Sequence, residues 1–344
     1  MKYRTLFLRI TAIFGIITVF FIVNLLHSLA QDSDLYQEGE VTQTNRVYLP
    51  TVVKVFSSSG WNQLAGNPQR TGYVTNEVEA PWTLRWIWNG PIGGGDFGPA
   101  SNHLRLPKGV QPVIGSEKLY IGHSDGMVRA VSEITGQLVW TSPNLGASIV
   151  NTGAYDSDTN SFYVGTTNGR FWQINAENGN VIRSVQLGGQ IVMAPLLVGN
   201  LIFIGSTNHF LYQLNKADLT IINNPYDAGA SLVGSLAYSS NHNGLVIALA
   251  EDRSVHAVQV GTMSRRWRVF VGADQVSYYG VFEDTYPVVA ESHDVVIIRS
   301  YRTQERQFWP NSETPTSIVE IRNYIAANPD YQSFYVLGLD DGKS

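Results

Sequence analysis

The sequence predicts an all-β chain, a β-propeller of four-stranded blades, carrying an N-terminal signal or anchor segment and one helical insertion. Three observations predict it. First, the stretch Gly115 to Trp140, GSEKLYIGHSDGMVRAVSEITGQLVW, reads as two short strands around a turn on Ser124-Asp125-Gly126, then a third strand after a turn on Thr135-Gly136. Asp-Gly between alternating runs marks a hairpin, because Gly accepts the positive φ that such turns need. Second, the unit returns: Ala130, Gln173, Gln213 and Ala257 hold equivalent places at spacings of 43, 40 and 44 residues. Third, 32 Gly, 17 Tyr and 8 Trp in 344 residues match the turn-rich, aromatic make-up of β proteins. Short strands recurring every 40 to 45 residues or so are propeller blades. One blade cannot bury both faces of its sheet, so successive blades must pack around a common axis.

The elements follow in order. Lys2, Arg4 and Arg9 precede an apolar run from Ile10 to Leu26, and Ser28-Leu29-Ala30 offers a small-x-small cleavage site. The run is 17 residues, long for a signal peptide and short for a span. Residues 1–30 are thus a signal peptide or a membrane anchor, and in either case the remainder is exported. Residues 31–59 read as a polar linker, and the propeller occupies 60–344. Its entry, Trp61 to Gly72, is irregular and turn-rich. Thr83 to Asn89, TLRWIWN, alternates as an outer strand with Trp86 and Trp88 on one face. Gly93 to Gly109 is a long loop.

Four blades then repeat. Their second strands are Leu119–Gly122, Phe162–Gly165, Ile202–Gly205 and Leu245–Ala248. Their third strands are Val128–Val131, Phe171–Ile174, Leu211–Leu214 and Val255–Val258. A fifth blade starts at Tyr286–Ala290 and Asp294–Ser300, is interrupted by an insertion at 301–332, and resumes from Ser333. Within the insertion, Ser317-Ile-Val-Glu320 fits a helix capping box, Ile318, Ile321 and Ile325 line one face, and Asn328-Pro329 ends the helix. The fifth blade lacks its outermost strand. About five blades are therefore visible, and the expectation is a propeller truncated at its C-terminus from one of roughly seven or eight blades.

Charge and composition exclude several functions. The net charge of -5, without any Lys/Arg-rich run, gives nucleic acid no electrostatic footprint. The absence of cysteine removes disulfides, thiolate metal sites, Cys nucleophiles and a lipid anchor on cysteine. The remaining motifs have plain readings. Asp156-Ser-Asp158-Thr-Asn160 has calcium-loop spacing, but Ser161 stands where Gly is needed and Thr167 where the twelfth-place Glu belongs, so it reads as a turn. Asp96-Phe97-Gly98 lacks the partners of a kinase loop, and Asp341-Gly342-Lys343-Ser344 lacks the first Gly of a P-loop. The histidines are scattered without metal-ligand pairing, and His123 and His209, at equivalent turns, are expected to face solvent. Trp172 and Tyr212 are candidate aromatics for a binding surface, with inter-blade packing as the plainer role. No residue is assigned as catalytic, cofactor-binding or metal-binding.

Ala130-Val-Ser-Glu-Ile-Thr135-Gly136-Gln-Leu-Val-Trp140 fits the pattern A-x-[D/N]-x-x-T-G-x-x-x-W except at Ser132. It resembles the tryptophan-docking repeat of the PQQ-like β-propellers, the superfamily of the quinoprotein dehydrogenases and of the outer-membrane assembly scaffold BamB. Asn175 and Gly179 keep part of the motif, with Arg183 for Trp; Ala257 and Trp267 keep its ends, with Met263 for Gly. The resemblance covers roughly 61–344 and implies a fold more than a function. The enzymes of that superfamily carry a Trp platform for quinone, a Ca²⁺ site, a base Asp and often paired cysteines. Without cysteine or a matching Asp, the expected function is an exported, non-catalytic binding or scaffold module for a protein or envelope polymer, with no cofactor. It would meet partners through rim loops, the 93–109 loop and the 301–332 insertion first, and the membrane only through the N-terminal segment. The alternatives are a dehydrogenase dependent on PQQ and Ca²⁺, and the ectodomain of a membrane-anchored sensor.

Overall fold

The structure, a computed structural model, describes residues 60–74, 85–88, 90, 106–271, 279–302, 317–327 and 333–343. The expected signal or anchor segment, the linker and most of the 93–109 loop lie outside them. Four complete blades follow one another. Blade 1 is β1 (Val113–Gly115), β2 (Lys118–Gly122), β3 (Val128–Ser132) and β4 (Leu138–Thr141). Blade 2 is β5 (Ala154–Asp156), β6 (Ser161–Gly165), β7 (Arg170–Asn175) and β8 (Val181–Gln186). Blade 3 is β9 (Leu196–Val198), β10 (Leu201–Gly205), β11 (Phe210–Asn215) and β12 (Tyr226–Asp227). Blade 4 is β13 (Leu232–Ser239), β14 (Leu245–Ala250), β15 (Ser254–Gln259) and β16 (Ser264–Phe270). Every pairing is antiparallel between sequence neighbours, with the first strand at one sheet edge.

The middle strands are buried on both faces, as blade-on-blade packing requires. All of β6 and β14 is buried. That is why these strands read as continuous apolar runs rather than alternating ones. The turns between second and third strands need a left-handed residue at their last position. Gly126 and Gly169 supply it at φ 78° and 79°, while His209 and Arg253 take the same conformation at φ 67° in blades 3 and 4.

After β17 (Tyr279–Val281) comes blade 5, with β18 (Val288–Ala290), β19 (Val295–Arg299) and β21 (Phe334–Gly338) in one three-stranded sheet. The insertion contributes β20 (Tyr301–Arg302), which pairs with β17, and helix α1 (Ile318–Ala327). Ser317 Oγ accepts the Glu320 N–H at 3.2 Å, the hydrogen bond the capping box predicts. The apolar stripe of α1 is less enclosed than expected, since Ile318 is 75% exposed. Residues 85–88 also differ from expectation. They form no strand, only a single bridge at Trp88, yet both Trp86 and Trp88 pack on Val110, Ile121 and Val131 of blade 1.

Candidate binding face

Antiparallel four-stranded blades give the molecule two distinct rims. The upper rim carries the turns between second and third strands and the links from one blade to the next. The lower rim carries the turns between first and second and between third and fourth strands.

The lower rim is closed by the entry segment. Each first strand is a sheet edge at the axis, with backbone N–H groups that need acceptors. Trp61 O accepts from Ile114 N (2.8 Å), Asn62 O from Tyr155 N (2.7 Å), Pro68 O from Tyr238 N (2.8 Å) and Gln69 O from Val289 N (2.9 Å). Blade 3 is served by a side chain, Gln63 Oε1 accepting from Leu197 N at 3.2 Å. Five residues within the nine from Trp61 to Gln69 thus touch the five first strands in chain order. Arg70 locks the arrangement. It is 1% exposed, and its guanidinium donates to Leu236 O (2.8 Å), Leu64 O (2.7 Å) and Pro195 O (3.0 Å). No carboxylate is among these partners. Burial pulls its pKa down to about 9, partly opposed by Tyr286, and at neutral pH it stays charged. The sequence marks this segment as irregular and turn-rich, because the four backbone carbonyls that meet the first strands leave no side-chain pattern.

The tryptophans sit between blades. The Trp140 indole N–H donates to Ala176 O at 3.1 Å, and a β-carbon on Gly179 would lie 2.5 Å from that ring. Trp267 reaches Leu339 O at 2.8 Å over Gly342, and Trp86 reaches Glu133 O at 3.0 Å over Gly136. Each acceptor is the third residue before the glycine. Where the preceding blade lacks the Trp, the glycine is also gone: Leu219 and Met263 hold the turn at φ 61° and 52° and are themselves buried. At the Leu219 seam Tyr163 OH donates instead to Lys216 O, at 2.9 Å.

The sequence-level candidates resolve as follows. In Asp156–Asn160 the cation is a side chain: Lys216 Nζ lies 2.7 Å from Asp156 Oδ1 and 3.2 Å from Asp158 Oδ2. Burial would depress this ammonium, but the hydrogen bonds to Asp156 and Asp158 outweigh it and raise its pKa. Tyr212 is buried rather than exposed, its hydroxyl donating to Leu187 O and accepting from Asn208 Nδ2. His123 is likewise buried, at 8% exposure, beside Asp125. Only His209 of the pair faces solvent, its ring tilted against that of Phe210 with centroids 4.4 Å apart. Trp172 is half-buried, its N–H on Thr166 Oγ1 at 3.0 Å.

One constellation escaped the sequence reading. Ser254 Oγ is 2.6 Å from His256 Nε2, and His256 Nδ1 is 2.9 Å from Tyr226 OH. A nucleophile and base at such a distance suggest hydrolytic chemistry. However, Ser254 and His256 are both 0% exposed, so no substrate reaches them, and the chain of bonds ties blade 3 to blade 4. Burial first, then Arg268, lowers the His256 pKa to about 4, leaving it neutral. Among the described residues no three His, Asp or Glu side chains gather as a metal site.

The upper rim carries three guanidinium–ring pairs. Arg170 lies 5.6 Å over the Trp172 ring, Arg268 4.7 Å over Phe270, and Arg299 5.9 Å over Phe334. All three pairs stand at upper strand ends, and the insertion leaves the propeller between Arg299 and Phe334.

Comparison with known proteins bears on the blades. Residues 124–344 match the family described as outer membrane protein assembly factor BamB (PQQ_2). Outer membrane protein assembly factor BamB of Yersinia pestis is 22% identical over 150 residues, covering 41% of this chain and 36% of that protein. That of Legionella pneumophila (strain Paris) is 25% identical over 174 residues, covering 49% and 44%. The chain therefore spans less than half the length of these curated relatives. Among solved structures, BamB from Moraxella catarrhalis aligns at a TM-score of 0.44 and 15% identity, over 56% of this chain and 54% of that one. The designed protein Ika8 aligns at 0.45 and 15%, over 56% and 55%. With the match running from the first blade to the last, the chain belongs to the BamB family of PQQ-like β-propellers.

Proposed function

We propose that this protein is an exported, non-catalytic propeller that acts as a binding or scaffold module for another protein of the cell envelope. The observation that carries the reading is the division of labour between the rims. The lower rim is occupied by the chain's own entry segment, while the upper rim gathers the blade-to-blade links and the insertion, the loops on which propellers place recognition. The relatives, named as outer membrane protein assembly factors, support a role in assembly and a place outside the cytoplasm. In this reading residues 1–30 export the chain or anchor it, and 60–344 form the working domain. No described helix is long and apolar enough to cross a membrane, so an anchor would rest on the N-terminal segment.

The test sets this reading against a quinoprotein enzyme. The full-length chain is titrated with pyrroloquinoline quinone and Ca²⁺, following Trp fluorescence, with an artificial electron acceptor and alcohols in parallel. No saturable change is expected. Saturable binding with dye reduction would overturn the proposal.

A further inference from the structure

Neighbouring blades are tied on the lower rim by ion pairs, and one of these ties can gain or lose its charge. Lys118 of blade 1 meets Glu177 of blade 2 at 3.0 Å, and Lys216 of blade 3 meets Asp156 and Asp158 of blade 2. At the seam between blades 4 and 5 an imidazole stands in that place. His242 lies in the turn between β13 and β14, with Nε2 2.9 Å from Asp294 Oδ2 and Nδ1 3.6 Å from Asp340 Oδ1. Both carboxylates belong to blade 5. A lysine stays charged across the physiological range, whereas an imidazole changes charge within it. His123 and His209 also meet carboxylates, those of Asp125 and Asp227, but within their own blades.

The partners fix the protons. A carboxylate only accepts, so Nε2 donates to Asp294. A guanidinium only donates, and Arg266 Nη2 lies 3.4 Å from Nδ1, so the neutral ring leaves Nδ1 bare. A second proton, on Nδ1, gives up that contact and is directed at Asp340. Arg266 keeps Asp340 through its backbone carbonyl, at 2.9 Å, and its carboxylate. The charges around the ring favour the second proton. Blade 5 presents Asp294, Asp340 and Glu291, the last accepting from Ser240 N, while its Asp341 is matched by Lys343 and its His293 is bonded to Ser292. Blade 4 answers with Arg266, and the entry segment with neutral Gln69, which donates to Glu291. Asn241 and His242 hold the Asp294 carboxyl below the ordinary carboxylate range, so it stays ionised while an imidazole titrates. We propose that His242 is a proton-operated clasp between blades 4 and 5. Protonated, it holds Asp294 and Asp340 together and seats blade 5, with its insertion, firmly on blade 4; neutral, it holds Asp294 alone. The clasp is tight on the acid side and loosens as pH rises through the imidazole range. The inference stands apart from the binding-module reading above.

The experiment measures amide exchange of β19 and β21 at pH 7.5 and 5.5 in the full-length parent and in His242→Gln, corrected for the intrinsic rate at each pH. Dividing the protection of the parent by that of the variant cancels the other titrating groups, buried His256 among them. This quotient should be about threefold larger at pH 5.5 than at pH 7.5. His242→Lys carries a fixed charge, as Lys118 and Lys216 do at their seams, and its protection over His242→Gln should not change with pH. Placing Asp340→Asn in both chains should shrink the parent's rise. A quotient equal at the two pH values would overturn the clasp. So would a rise that survives Asp340→Asn undiminished, because the second carboxylate would then play no part.

Discussion

At the scale of single residues, the buried polar groups do structural work that resembles catalysis or ligand binding only in outline. His256 shows why. Its imidazole is enclosed between Ser254 and Tyr226 and is held neutral, its pKa lowered to about 4 by burial and by Arg268, with Arg265 adding to this and Asp252 opposing it. In the unfolded chain the same side chain titrates near 6.5. Between these values the unfolded state binds the extra proton, so stability is lost as pH falls through 6.5 and the loss levels off below 4. The full effect is about 3 kcal/mol. Urea midpoints measured at pH 7, 5.5 and 4 should therefore decline, and His256→Gln, which keeps both hydrogen bonds but does not titrate, should flatten the decline. An unchanged slope in the variant would place the acid sensitivity elsewhere. Arg70 makes a second case. Its charge is solvated by carbonyls from the entry segment and from blades 3 and 4. Arg70→Met leaves those acceptors buried and unpaired, with an expected loss on the order of 3 kcal/mol in urea unfolding. Arg70→Lys should recover little of it, because an ammonium cannot fork between the blades. Full stability of the Lys variant would show that charge alone, not the fork, holds the entry segment.

At the scale of strands and turns, the seams between blades come in two kinds, and the kinds exchange whole sets of residues. Ala130 and Ala257 stand opposite Trp140 and Trp267, which lie over Gly179 and Gly342. Gln173 stands opposite Arg183 and is followed by Leu219 on the next blade, and Gln213 is followed in the same way by Met263. A large ring needs a small residue opposite and a bare turn beyond it; without the ring, the amide and the aliphatic turn residue fill the volume. Gly179→Leu alone must push a β-carbon against Trp140, and Trp140→Arg alone must leave a cavity over Gly179. Each should cost roughly 2–4 kcal/mol, while the double variant should cost less than their sum by about 1–3 kcal/mol. Additive losses in thermal or urea unfolding would show that the two positions are independent. These seams also explain what the sequence could reveal. Blade period, strand positions and hairpin turns were legible because burial on both faces writes continuous apolar runs between turn residues, and the Trp and Gly signatures are side-chain facts. Met263 in place of Gly reads from sequence only as a departure from the motif, because its compensating partner lies on another blade. His123, expected to face solvent, is covered for a related reason, since the returning turn that encloses it lies at a distance no local pattern encodes, whereas Tyr212 takes the plainer of its two readings and packs between blades.

At the scale of the whole molecule, the entry segment was the least legible part and the most consequential. Its backbone carbonyls carry no side-chain signal, yet together with the Gln63 side chain they join the first strands of all five blades. The guanidinium–ring pairs leave no local pattern either, since Arg299 and Phe334 meet only through the pairing of β19 with β21. A chain of blades in which each touches chiefly its neighbours has a stability that is local, set by intrinsic terms and by adjacent seams. Blade 4 has a packed blade on either side, and β14 is buried throughout. In blade 5 one face, with Val289, Val296, Ile298 and Leu337, is sealed against blade 4, whereas Ile297, Phe334 and Val336 on the other are 36%, 57% and 50% exposed. Backbone hydrogen bonds between β19 and β21 are therefore shielded from one side only. Native-state amide exchange should open them at a lower free energy than those of β14 and β15, by at least about 1.4 kcal/mol, or tenfold in rate. The entry segment should exchange with blades 3 and 4 rather than with blade 5, because Arg70 binds it to Pro195 and Leu236. Equal protection of β14 and β21 would mean that the five blades open as one cooperative unit, with the axial segment rather than the seams setting their stability.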